Sequence, residues 1–160
     1  MRKGVGWLFR YRDLSRAANH RYLDALAVVS DSSAKVRELD AVTRRKLTAG
    51  GRSAKAFNPL CREDLQLFQA VMDGAHTIRG FNNHDIRQRL SRSPHLSGLT
   101  DTRRQSAKVT RLLQRFHVHG LIAKIPHSRR WRTTRFGRRV MATAIQLRQI
   151  NFPQLLALAA

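Results

Sequence analysis

Residues 102–137, TRRQSAKVTRLLQRFHVHGLIAKIPHSRRWRTTRFG, decide the fold. Val109, Leu112, Leu113 and Phe116 recur at i, i+3, i+4 and i+7, the spacing that lines one narrow stripe of a helix. Thr102 with Gln105 three positions on has the form of a capping box, so a helix over about 102–119 is predicted to begin there. Arg104, Lys108, Arg111, Gln114 and Arg115 fall away from the stripe, with Ser106, Ala107 and Thr110 near its front. Gly120 stands where a left-handed residue ends a helix, and Leu121 and Ile122 are expected to pack back over that end. The segments 121–125 and 130–133 then read as two short strands about the polar tip Pro126-His127-Ser128-Arg129. Trp131 is expected to pair across this hairpin and cover the core, leaving Arg129, Arg130 and Arg132 outward. Thr134 is positioned to cap a last helix whose buried side is Phe136, Val140, Ala144 and Leu147, ending near Asn151.

Charge restricts the partners. The 160 residues carry 31 Lys/Arg against 10 Asp/Glu, a formal charge of +21, and within 101–140 twelve basic residues face one acid, Asp101. An ordinary solvated helix face mixes signs; a field this one-sided favours a polyanion. Arginine far outnumbers lysine, and its planar fork fits phosphates and guanine edges. A hydrophobic content of 42% supports a folded chain rather than a disordered tail. Cys61 is alone, which excludes an internal disulfide and points to a reducing, cytoplasmic setting, nucleoid-associated if the polyanion is DNA. The N-terminus has no apolar run of signal-peptide form, and no stretch reaches spanning length, so no membrane partner is expected.

Upstream, Trp7, Leu8, Tyr11, Leu14, Ala18, Tyr22, Ala25, Leu26 and Val29 follow helical spacing and predict a packing helix over 7–29. The Asp31-Ser32-Ser33 triplet marks a turn, and Val36, Leu39 and Val42 suit a short helical turn. A basic run about Gly50-Gly51 reads as a loop or weak hairpin that adds phosphate affinity without sequence information. Asn58-Pro59 is expected to cap and open a helix that places Leu65, Phe68 and Met72 on a core and stops at Gly74. Thr77-Ile78-Arg79 reads as an extended bridge broken by Gly80. Asn82 or Asn83 caps a short helix over 85–90, and 91–100 is a loop. Together these give a mainly α fold with a small β-hairpin wing: an N-terminal helix and basic extension (1–57), a winged helix-turn-helix (58–150) and a tail (151–160).

The residues SAKVTRLLQRFHVHGLIAKIP followed by RRWRTTRFGRRV resemble the recognition helix and wing of MarR-like bacterial winged-helix regulators. In that family a Ser-x-x-Val-Ser-Arg-Leu-Leu-type helix ends in a His- or Lys-Gly-Leu-Ile step, and the wing closes on Tyr-x-Leu-Thr-x-x-Gly. Trp131, Thr134 and Gly137 take the aromatic, threonine and glycine places, while Thr133 replaces the usual leucine. The resemblance covers about 59–148. It implies that Ser106, Ala107, Lys108, Thr110 and Arg111 enter the major groove and that Arg129 and Arg130 form the wing tip. It also implies a dimer through terminal helices, here 7–29 and the tail after Phe152. The segment KGVGWLFRYRDLSRAANHRYLDAL is similar to part of longer uncharacterised bacterial proteins that end in such a wing, which would make mobile-element ancestry an alternative to a regulator.

The expected function is therefore sequence-selective binding of duplex DNA. Base reading falls to Ser106, Lys108 and Arg111, with Ala107 or the Thr110 methyl available for thymine methyls. Phosphate contacts fall to Arg103, Arg104, Arg115, Arg135 and Arg138, with Gln114 and Arg132 on the same surfaces. The alternative is a basic winged helix that holds structured RNA or an acidic protein without reading sequence.

Enzyme chemistry fits poorly. His117 and His119 project about 200° apart on a helix and make no metal pair; they read as surface or phosphate-side histidines. His76-Thr77-Ile78-Arg79 matches the His-x-x-Arg element of tyrosine recombinases, but Tyr11 and Tyr22 lie upstream, where that nucleophile does not belong. Asp64, Asp73, Asp85 and Asp101 lie at helix ends, which caps and dipoles explain. Neither a cofactor, a metal nor a small-molecule ligand is expected.

Overall fold

The computed structural model describes residues 8–30, 36–48, 50–51 and 53–151. In chain order the elements are α1 (Leu8–Ser30), α2 (Val36–Thr43), β1 (Lys46–Leu47), β2 (Ser53–Ala54), α3 (Arg62–Val71), α4 (His76–Arg79), α5 (Asn83–Arg89), α6 (Thr102–Val118), β3 (Ile122–Lys124), β4 (Trp131–Thr133) and α7 (Arg135–Gln146). A π-helical turn, Leu147–Asn151, continues α7. The chain is thus mainly helical with two small antiparallel hairpins. Trp7, the turn at 31–33 and the tail from Phe152 fall outside the described residues.

α6 carries the core. Val109, Leu113 and Phe116 are buried along one side of it, as their spacing requires. Phe116 meets Phe57 at 4.8 Å and Phe68 at 6.0 Å between ring centroids, and Phe57 meets Phe68 at 5.4 Å. Around this aromatic centre lie Leu65 and Leu67 of α3, Ile86 of α5, and Val140, Met141 and Ala144 of α7. Leu39 and Val42 of α2 join the same core, and the amide of Phe57 donates to the carbonyl of Val42 at 2.8 Å. These three residues precede the expected boundary at 58, so the core extends into the N-terminal part.

The α6 helix ends as its sequence requires. Gly120 takes φ 74°, its amide donates to His117 O, and the amide of Leu121 donates to Phe116 O. That bond pair is a Schellman motif, which satisfies the last carbonyls and turns Leu121 and Ile122 into the core. Its start differs from the Thr102–Gln105 box. Asp101 is the cap, its carboxylate accepting from Arg103 N at 2.8 Å, while Gln105 donates to Leu99 O instead. A carboxylate one residue earlier wins the capping position because its charge strengthens the bond to an open amide of the first turn.

β3 and β4 pair as Ile122↔Thr133, Ala123↔Arg132 and Lys124↔Trp131. Phe81 adds a rung on the other side of β4, exchanging two backbone bonds with Trp131 at 2.9 and 2.7 Å. The extended residue before α5 is therefore Phe81; Thr77-Ile78-Arg79 lies in the helical turn α4, a correction to the bridge expected there. Gly80 permits the approach, because its φ is 66° and a β-carbon would strike the Trp131 carbonyl. α5 begins with a complete capping box between Asn82 and Asp85.

Two further expectations shift. α3 starts at Arg62 with Cys61 at its cap, because Asn58 and Pro59 form a preceding turn in which Asn58 Oδ1 accepts from Leu60 N. α1 approaches α4 and α7, yet Tyr11 and Leu14, expected to pack, are 51% and 60% exposed. Periodicity defines a stripe but does not supply its partner.

Thr134 fastens the hairpin to α7. Its hydroxyl donates to Gly120 O at 2.7 Å and accepts from Gly137 N at 2.8 Å. Gly137 lies directly against the backbone of Leu121, where a β-carbon would overlap it. Gly137→Ala is expected to destabilise the protein by about 1–3 kcal/mol through overpacking. Gly74→Ala, with open space around it, should stay within about 0.5 kcal/mol. Urea unfolding of the two variants decides the point; equal midpoints would remove the packing role of Gly137.

Candidate nucleic-acid interface

The α6 helix divides its side chains by angle. Successive residues turn by about 100°, so residues two apart point to nearly opposite flanks. Away from the core project Arg103, Arg104, Ala107, Arg111 and Gln114, all exposed. This outer ridge combines three guanidiniums, an amide and a methyl group without a carboxylate of its own.

One flank of α6 faces α5 and the β3–β4 hairpin. Asn83 donates from Nδ2 to Ser106 O and to Thr110 Oγ1, both at 2.9 Å, while Ser106 Oγ donates to Asn83 Oδ1 at 3.2 Å. Ser106 is therefore turned inward, committed to holding α5 against α6, which corrects its expected place among base readers. Thr110 stays exposed, its hydroxyl bonded back to Ser106 O at 3.0 Å. His117 lies on the same flank, its ring 5.3 Å from Trp131 and its Nδ1 3.2 Å from Ile122 O.

The opposite flank meets the β1–β2 hairpin. Arg115 does not reach outward as expected of a phosphate contact. Its Nη1 and Nη2 donate to the two carboxylate oxygens of Asp64 at 3.0 Å, Nε donates to Lys55 O at 3.0 Å, and Nη2 also donates to Ala56 O at 2.5 Å. The guanidinium carbon lies 3.7 Å from the Phe57 ring centroid, and both charged side chains are 12% exposed. With four of its five N–H groups engaged and its face stacked, this arginine is committed to the interior rather than to a phosphate. Lys108, on this flank, is half-buried and lines an open cleft of about 570 Å³ against the hairpin, together with Arg111, Gln114 and Lys55.

His119 is buried rather than phosphate-side. Its Nε2 donates to Lys55 O at 3.1 Å, its ring meets Phe57 edge-on at 5.1 Å, and its Nδ1 has no hydrogen-bond partner among the described residues. Burial pushes its pKa below the usual 6.5, with Lys46 and Arg115 pushing the same way against the raising effects of the Lys55 carbonyl and Asp64.

On the other hairpin, Arg129 and Arg132 are exposed and Arg135 opens α7 in solvent. Arg130 departs from the outward set: it donates to Gly80 O at 3.0 Å and lies 3.9 Å from Asp85. Lys124 lies over Trp131 at 5.2 Å, and His127 at the tip takes a left-handed φ of 54°. Arg138, expected on a phosphate, is buried at 7% exposure in α7. The outer surface therefore retains Arg103, Arg104, Ala107, Lys108, Thr110, Arg111, Gln114, Arg129, Arg132 and Arg135.

Two contributors escaped the sequence reading: Asn83 as the clamp between α5 and α6, and the β1–β2 hairpin as a wall beside α6. A signal for the first exists, since Asn82-Asn83 offers two capping residues where one suffices. No group of three potential metal ligands occurs among the described residues, and none of the helices described is long and apolar enough to cross a membrane. Comparison with protein-family models, with curated proteins and with solved structures finds no match to this chain.

Breaking the buried pair leaves an uncompensated carboxylate, so Arg115→Ala is expected to cost about 3–5 kcal/mol. Arg111→Ala, on the ridge, should stay within about 0.5 kcal/mol. Matching losses in denaturant titration would erase this distinction between inner and outer arginines. A pH effect follows from His119. Folded, it takes up a proton at lower pH than unfolded; below about pH 6.5 the unfolded chain therefore binds more protons, and stability falls with falling pH. The melting temperature should be lower at pH 5.5 than at pH 7.5. His119→Gln retains a donor but cannot titrate, and the difference should shrink in it; an undiminished difference excludes His119 as its source.

Proposed function

We propose that the chain binds duplex DNA as a winged helix-turn-helix domain, with α6 in the major groove and the β3–β4 hairpin as the wing. The order α3, the Phe81 rung, α5, α6, β3, β4, α7 supports this reading, as does the MarR-like pattern in α6 and the wing. The observation that carries it is the ridge of α6. Arg103, Arg104, Ala107, Arg111 and Gln114 face solvent along a helix clamped to α5 by Asn83. Few acids lie nearby: Asp64 is taken by Arg115, Asp85 by the α5 capping box, Asp101 caps α6 and lies 3.8 Å from Arg104, and Glu63 borders the cleft beside Arg111. The ridge keeps an excess of positive charge, with Arg103 and Arg111 in no ion pair among the described residues.

In this reading Arg111 and Lys108 reach base edges, and Ala107 or the Thr110 methyl meets thymine methyls. Arg103, Arg104, Arg129, Arg132 and Arg135 contact phosphates, release counterions and set the register. The role is that of a bacterial transcription regulator or the DNA-recognition module of a mobile element. A second copy docked along α1 is part of the proposal, supported by Phe9, Leu14 and Leu23, which are 58–69% exposed. Selection from random duplex DNA tests all of this at once, since a palindromic product reports a dimer. Arg111→Ala should lower discrimination at one base pair by about 1–3 kcal/mol. If folded RNA binds as tightly as duplex and no sequence is enriched, the proposal fails.

A further inference from the structure

The second hairpin raises a separate question, because nothing in the helix-turn-helix reading requires it. Strands of two residues each are marginal alone. This one is held from outside: the carbonyl of Lys55, just after β2, accepts from both Arg115 Nε and His119 Nε2, and the next carbonyl, Ala56, accepts from Arg115 Nη2. Both lone pairs of the Lys55 carbonyl are thereby used by α6. The hairpin is thus fastened to the flank of α6 opposite the one that meets Trp131.

Its position places it on the ligand side. Lys55 and Ser53 line the open cleft of about 570 Å³ with Lys108, Arg111 and Gln114 of α6, and Glu63 and Asp64 of α3 border it as well, Asp64 being held by Arg115. Arg111 and Gln114 belong to the outer ridge, so the cleft opens onto the surface proposed to meet DNA. The hairpin and the two residues before it contribute only positive charge: Arg44, Arg45 and Lys55 are exposed, Lys46 is half-buried, and none of the four is in an ion pair among the described residues. No acid occurs between residues 41 and 62.

We infer that the β1–β2 hairpin is a second phosphate-binding arm, which grips the DNA backbone on the side of α6 opposite the β3–β4 wing. This rests on the duplex-DNA reading above and adds to it a second binding region. A strand leaving the major groove beside Lys108 meets Lys55 at the cleft, and Arg44 and Arg45, exposed directly before β1, add charge to the same arm. The arm carries charge without base-reading groups, so it adds affinity uniformly across sequences.

The test uses the full chain and the triple variant Arg44→Ala/Arg45→Ala/Lys55→Ala. All three side chains are exposed, and the anchoring bonds to Lys55 use its backbone, so the melting temperature should not move. Binding to a selected duplex and to an unrelated duplex is titrated across a salt series. The expected result is an equal drop in affinity, at least tenfold, for both duplexes. The slope of log K against log salt should become shallower by about 0.9 for each phosphate that the variant no longer neutralises. Wild-type affinity and slope in the triple variant, with the wild-type chain binding duplex DNA, would overturn the arm and leave the α6 reading standing. A drop confined to the selected duplex would also overturn it, since that is the signature of base reading. Failure of the wild-type chain to bind either duplex would overturn both.

Discussion

The pair between Arg115 and Asp64 holds the rest of this structure in register. Two charges withdrawn from water are tolerated only when good geometry and further hydrogen bonds offset their desolvation. Arg115 engages four of its five N–H groups, with a bidentate carboxylate and two backbone carbonyls, and stacks on the face of Phe57. Asp64 Oδ2 also accepts from the amide of Asn58 at 2.7 Å. One ion pair therefore joins α6 to a stretch some fifty to sixty residues earlier that holds the end of the β1–β2 hairpin, the turn before α3 and α3 itself. Lysine in place of Arg115 would keep the charge and lose the fork that makes those connections simultaneous.

The same pair explains how a strongly basic chain keeps an ordered interior. Four of its ten acids are placed where they neutralise something specific: Asp64 inside, Asp73 against Arg89 at 3.1 Å, Asp85 and Asp101 at helix starts. Arg103, Arg104 and Arg111 of α6 are exposed, and helical angle together with the partner each side chain finds sets their direction. Arg111 and Arg115 differ by four residues and both border the cleft, yet Arg111 stays exposed while Arg115 is drawn onto Asp64 and the carbonyls of Lys55 and Ala56. Exposure, not residue type, separates a candidate ligand contact from a structural tie.

Much of this was legible in the amino-acid order. The stripe Val109, Leu113, Phe116, the Gly120 stop, the Asn82 cap, the short hairpin about 126–129 and the Thr134 cap are all local, dictated by side chains a few residues apart. The weak hairpin about Gly50-Gly51 was legible for the same reason, as a turn signal between short runs. What escaped is long-range. Arg115 looks like any other basic residue of α6 until Asp64, 51 positions earlier, is brought beside it. His119 reads as a surface residue until Lys55, 64 positions earlier, supplies its acceptor. Even the helix starts depended on competition: Asp101 displaced Thr102 as a cap, and Asn58-Pro59 served the turn before α3 because Asp64 holds the Asn58 amide.

That long-range fastening bears on how α6 would meet a ligand. One flank carries α5 through Asn83 and the β3–β4 hairpin through His117 and the Schellman turn; the other carries β1–β2 through Arg115 and His119. Alternate residues of a helix point to opposite sides, so His117-Val118-His119 is spaced to engage both hairpins at once, which accounts for the paired histidines better than surface placement does. Hairpins tethered separately to a core could move relative to the ridge, and ordering them on a phosphate backbone would cost conformational entropy. Fastened to the helix that carries the ridge, they are ordered before any ligand arrives. On the proposed reading, that pre-organisation lets short, sparsely paired hairpins act as binding surfaces, and it assigns the buried side of α6 as much influence on affinity as the exposed side.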